Sequence, residues 1–138
     1  MGTVIRAEIS KKSKYYLPKE RYLELVHFCR QYPEWKKAYI SADGPMTGRY
    51  GTEGVSGGAL PDPTAEAAMR KLYFSERIRM VEQAAREAAE TMDGLMIEAV
   101  TDGVSYECLN ARRGVPCGKD AWYVLYRRFF LILDKLRR

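Results

Sequence analysis

Near the C-terminus, apolar residues fall at Trp122, Leu125, Phe129, Ile132 and Leu136. Steps of three and four residues draw one stripe along a helix. Lys119, Arg127, Arg128, Arg137 and Arg138 flank that stripe or follow it. Just upstream, Leu95, Met96, Ala99 and Val100 predict a shorter helix over Asp93–Thr101. Asp102-Gly103 reads as its end, because glycine enters the left-handed conformation that closes a helix without steric cost. Ser105 is then a natural N-cap for a helix running to Arg113. Gly114 supplies a corner, and Pro116 or Cys117 opens the last helix. Three helices with a tight corner before a basic final helix form the predicted C-terminal unit.

The N-terminal half follows the same period. From Pro18 a helix is expected in which Leu23, Val26 and Arg30 lie on one side with Tyr22, Leu25 and Cys29 beside them, and which stops near Gln31. Pro33 opens a second helix in which Trp35, Ala38 and Tyr39 share a side, with Trp35 as the packing anchor. Residues 1–14 show little periodicity and read as an arm with at most a short strand at Val4–Ile9. Asp43 to Leu60 holds six glycines in 18 residues and cannot be a regular element. Asp62 as N-cap and Pro63 at the first turn start a long helix reaching Glu90. Its apolar stripe changes face, from Ala65, Ala68, Met69 and Leu72 to Phe74, Ile78, Val81, Ala85 and Ala88. One helix is expected to serve two neighbours, its first half facing the N-terminal helices and its second half facing the C-terminal unit. The expected fold is all-α, a helical bundle with a C-terminal helix-turn-helix. It comprises an arm and helices at 1–42, a Gly-rich loop at 43–61, and the long helix with the C-terminal unit at 62–138, together one domain.

Charge sharpens this picture. Residues 111–138 hold eight Lys/Arg against Asp120 and Asp134, whereas the first 110 residues are nearly balanced. The excess of the whole chain, +5, therefore sits in its last fifth and suits a polyanion-binding face. No window approaches the ~18 consecutive apolar residues of a membrane span. The N-terminus lacks the apolar core of a secretory signal. Cys29, Cys108 and Cys117 are too widely spaced for a metal knuckle, and Cys29 and Cys108 are expected as small buried side chains. The one histidine, His27, has no second ligand or catalytic partner nearby in sequence. Gly54-Val55-Ser56-Gly57-Gly58 fits a nucleophile elbow by letter but lacks the preceding strand and following helix that the elbow needs. No lysine follows the glycines to form a phosphate loop. Neither enzymatic activity nor a cofactor is expected.

Gly103-Val104-Ser105-Tyr106-Glu107-Cys108-Leu109, the corner Gly114-Val115-Pro116 and the closing Leu136-Arg137 together resemble DNA-binding region four of bacterial sigma factors and phage late-gene activators. The final helix is also similar to small prophage proteins of Gram-positive bacteria. The resemblance covers about the last 45 residues. Asn110, Arg113 and Pro116 depart from the pattern, which usually has Ala, an apolar residue and Ser there. The resemblance implies that the start of the last helix enters the major groove. Lys119 would then meet a phosphate or guanine, Asp120 a cytosine, and Tyr123 a phosphate or thymine methyl, with Arg127 alongside. Arg112 and Arg113 would lie against backbone phosphates. The expected function is sequence-specific binding of double-stranded DNA by a phage- or prophage-type transcriptional regulator in the bacterial cytoplasm. RNA polymerase is a possible partner, and a homodimer through the central helix another. The alternative is a helical phage assembly or DNA-packaging component that binds nucleic acid or protein without sequence preference.

Overall fold

The structure, a computed structural model, describes residues 14–43 and 63–138. The N-terminal arm with its short strand, the Gly-rich stretch and the Asp62 cap lie outside these residues. The described chain folds as an all-α bundle of six helices: α1 (Lys19–Arg30), α2 (Tyr32–Asp43), α3 (Pro63–Ala89), α4 (Asp93–Asp102), α5 (Tyr106–Arg113) and α6 (Lys119–Leu136). No described helix is long and apolar enough to cross a membrane.

Pro18 precedes α1 at the N-cap, where its missing N–H costs nothing. Tyr22, Leu25, Val26, Phe28 and Cys29 form the buried side of α1, which packs on α4 and α6. Only Gln31 separates α1 from α2, and buried Trp35 packs on Phe28 with the rings tilted by 60° and their centroids 4.7 Å apart, anchoring the pair as the pattern predicts. α2 runs antiparallel to α3. The hydroxyl of Tyr32 donates to Glu82 (2.6 Å) at one end, and Lys71 lies over the Tyr39 ring at the other. Val81, Ala84, Ala85, Ala88 and Ala89 of α3 are all buried, and such small side chains let α3 approach α4 and α6 closely.

α3 is a single helix that packs on α2 and, through buried Val81, Ala85 and Ala88, on the C-terminal unit as expected, but the early stripe is not the face that α2 meets. Met69 and Leu72 are 70% and 58% exposed, and Ala65 and Ala68 are exposed beside them. α2 packs instead along the face of Lys71 and Glu82, so the early stripe is left open to solvent. α1 does not cover it either, because it lies against α4 and α6. The helix ends at Glu90, whose φ of 53° breaks the α-helical path into one 3₁₀ turn over Glu90–Met92.

α6 also differs from its predicted stripe. Its buried residues are Trp122, Tyr126, Phe129, Phe130, Leu133 and Asp134, whereas Leu125, Ile132 and Leu136 are half-buried at the edge. The core line is thus rotated by more than half a residue step toward Tyr126 and Phe130. The cause is packing from two sides: α3 lies along α6, and Tyr22 of α1 meets Phe130 edge-on at 5.1 Å. Cys29 is buried as expected, but Cys108 is exposed on α5.

Candidate nucleic-acid interface

The C-terminal unit is α4, α5 and α6 around Leu109, Val115 and Trp122, all buried. Gly103 closes α4 with φ 70°, and its N–H returns to the carbonyl of Ala99 (2.9 Å). Ser105 caps α5 as predicted, its hydroxyl accepting from the N–H of Cys108 (3.3 Å). Gly114, at φ 74°, turns the chain out of α5. The last helix starts later than the sequence implied. Gly118 is its N-cap and Lys119 its first residue, so Pro116 and Cys117 belong to the corner.

Side chains hold that corner. The hydroxyl of Tyr106 donates to the carbonyl of Cys117 (2.7 Å), and the Val115 N–H donates to Asn110 Oδ1 (2.8 Å). Asn110 and Tyr106 are therefore the side chains that satisfy backbone groups of the corner. The Tyr106 N–H is one of the donors left open at the start of α5, and it bonds to the hydroxyl of Tyr123 on α6 (3.0 Å).

These contacts redistribute the six predicted site residues. Tyr123 is half-buried and spent on α5, which follows from the rotation of α6. Arg112 Nη1 and Arg113 Nε both donate to the carboxylate of Glu98 on α4, at 2.8 and 2.9 Å. Glu98 is only 16% exposed. Burial pushes its carboxyl up, but the hydrogen bonds from the two guanidiniums outweigh burial and hold it below its ordinary value. Arg113 is exposed. Lys119 Nζ meets Glu107 at 2.6 Å, and that hydrogen bond raises the lysine and lowers the carboxyl. Both groups are exposed, and such surface pairs contribute little and yield to salt or phosphate.

Asp120 and Arg127 are different. Among the described residues neither side chain has a hydrogen bond or ion pair, and the same is true of Arg128. Asp120 and Arg128 are exposed, while Arg127 is half-buried on the flank nearer Tyr22. Buried Tyr22 has its hydroxyl pushed up to about 12 by desolvation, and the charge of Arg127 works against that rise. Sequence reading omitted Arg128 and Val124 from the site. Spacing alone held the signal: Asp120, Val124 and Arg128 recur every four residues, on the side of α6 away from Phe129 and Leu133.

The far end of α6 is fastened rather than free. Asp134 is buried, and it accepts from Arg21 of α1 and from Arg138, which also approaches it at 2.9 Å. Burial raises its carboxyl, and the two arginines overcome this and lower it. Two of the three basic residues at the end of the chain are used internally, since besides Arg138 on Asp134, Arg137 lies over Phe28 and reaches Glu24.

No group of three or more metal-ligating side chains occurs among the described residues. Comparison with family models, with curated proteins and with solved structures finds no match for this chain.

Proposed function

We propose that this protein binds double-stranded DNA sequence-specifically, as a transcriptional regulator of the phage or prophage type in the bacterial cytoplasm, with α5 and α6 acting as a helix-turn-helix. The observation that carries the reading is the outward face of α6. It presents exposed Arg128, with half-buried Arg127 at its flank, neither hydrogen-bonded nor ion-paired among the described residues, on a helix whose other end is locked by Asp134. A rigid helix with unspent guanidiniums is suited to a major groove. Arg112, Arg113 and Lys119 border it in surface ion pairs, from which phosphates can compete them away. No catalytic step is part of this reading. Pairing of two copies through the exposed first half of α3 belongs to the proposal, since two half-sites are commonly read by dimers. Contact with RNA polymerase rests on the sigma-factor resemblance.

The test is fluorescence-anisotropy binding to duplexes from the gene's own neighbourhood against random duplex, across a salt series. Expected is a preference of about 10³-fold or more for one neighbourhood duplex, lost in an Arg127→Ala/Arg128→Ala variant. Equal affinity for all sequences with a steep salt slope would instead favour the assembly or packaging reading.

A further inference from the structure

Among the described residues, the Tyr22 hydroxyl, Arg30 Nε and Arg137 Nε are buried without a hydrogen-bond partner. Arg137 has its charge matched by Glu24 and its plane by Phe28. The other two atoms meet where α1 packs on α4 and α6. Tyr22 is 6% exposed, and the Tyr126 hydroxyl stands near its own hydroxyl but outside hydrogen-bond geometry. Arg30 is half-buried and makes neither a hydrogen bond nor an ion pair among the described residues. Its guanidinium lies against Gly103, where a Cβ would run into Nη2, Cζ and Nε. The charged side chains that act on Tyr22 are Arg30 and Arg127, and Arg30 acts on Tyr126 and Cys29 as well. Two hydroxyls and a held guanidinium therefore converge at one place.

Packing within the chain does not account for them. A buried hydroxyl is ordinarily matched, and a guanidinium drawn out of water is ordinarily matched by a carboxylate. Elsewhere on the same α1–α6 contact Asp134 does this for Arg21. The carbonyl end of α4 beside Gly103 attracts the Arg30 charge, yet leaves Nε without a bond. An ordered water could take the hydroxyls but not the charge. An oxyanion takes both, since the Nε–Nη edge of a guanidinium is shaped for two oxygens and a hydroxyl donates to a third. Desolvation pushes the Tyr22 hydroxyl up to about 12, which keeps it a neutral donor at ordinary pH.

We infer that Arg30, Tyr22 and Tyr126 form a binding site for a free oxyanion of the phosphate class at the junction of α1, α4 and α6. The unmatched atoms lie below the surface, so a small free anion reaches them and a duplex does not. The site is separate from the proposed DNA face and does not rest on it.

The test is a series of thermal melts of the full chain at constant ionic strength, with chloride replaced stepwise by inorganic phosphate. The wild-type midpoint should rise and saturate, by about 4 °C at ten times the half-saturating concentration. General exclusion of phosphate from protein surfaces gives a rise that does not saturate. Arg30→Gln should show only that unsaturable part. Tyr22→Phe should melt at or above the wild type without phosphate, because it removes an unmatched buried hydroxyl. In phosphate it should gain less, so that the order reverses. The Arg30 Nε–H resonance in ¹⁵N NMR of the wild type should shift along the same saturation curve, which reads the site even where a variant fails to fold. The inference is overturned if the wild type does not saturate, if both variants keep its full rise, or if Tyr22→Phe melts equally far below it with and without phosphate. A short duplex that moves the Arg30 resonance as phosphate does would assign the site to a DNA backbone and overturn the free anion.

Discussion

Tyr123 shows how one residue can change roles when its helix turns by half a step. On the stripe drawn through Trp122, Leu125 and Phe129 it faces DNA; on the actual core line it sits at the edge and caps α5 through the Tyr106 N–H. Tyr123→Phe should therefore lower stability by about 1 kcal/mol, the usual net worth of a hydrogen bond, with sequence preference intact. Denaturant melts alongside anisotropy on one duplex check this; a changed base preference at unchanged stability would return Tyr123 to the interface. Gly103 carries a second residue-scale prediction. A Cβ there would come within 2.4 Å of the Arg30 guanidinium, at a φ of 70°. Gly103→Ala should destabilise by about 1–2 kcal/mol from backbone strain alone, and a companion Arg30→Ala should relieve only the steric part. A melt of Gly103→Ala indistinguishable from wild type would show that the end of α4 can rearrange freely. Both glycine turns were readable from the sequence, since only glycine makes such φ values cheap. The Tyr106, Asn110 and Tyr123 bonds were not, because they depend on where two helices meet in space.

At the scale of elements, helix positions were legible wherever a cap or proline marks them: Pro18, Pro33, Pro63, Gly103, Ser105 and Gly114 each sit at or beside a boundary that the structure describes. The start of α6 was misplaced because Pro116 looks like a first-turn residue, whereas Gly118, a weaker signal, holds the N-cap. The core face of α6 was misjudged for a different reason. Apolar and aromatic residues cover more than half its circumference, so several stripes fit the period and only the neighbours choose among them. The choice places Asp134 inside, between Arg21 and Arg138. Its carboxyl is lowered in the folded state, so the stabilisation it gives is fully present above the ordinary carboxylate value near 3.8. That stabilisation is lost as pH falls below this value through the lowered one. Asp134→Asn should flatten the acid limb of the stability profile below about pH 4. It should also cost on the order of 1–2 kcal/mol at neutral pH, as charge-assisted bonds become neutral ones. Urea melts at several pH values measure both, and an acid limb unchanged in the variant would assign that limb to other carboxylates such as Glu98.

For the whole molecule, the open half of α3 is the feature that packing among the described residues leaves unsatisfied. Ala65, Ala68, Met69 and Leu72 lie on one helical side, and the alanines leave room for another backbone to come close. A symmetric pair formed there would join two copies through the same patch, and each copy would carry its own α6 on the opposite half of the bundle. Two α6 helices reading half-sites one turn of DNA apart need a separation of about 34 Å, and a 27-residue α3 of about 40 Å is long enough to keep them that far apart. Sedimentation equilibrium is expected to show a concentration-dependent dimer. Leu72→Glu should shift it to monomer with the helical signal unchanged, because Leu72 is 58% exposed. The same variant should bind a single half-site as wild type does and lose only the advantage of a duplex that carries two. That pattern would separate assembly from recognition. A wild type that stays monomeric at all concentrations would remove the dimer from the proposal and leave α6 to act alone, whereas assemblies larger than two that persist in Leu72→Glu would move the weight to the packaging reading.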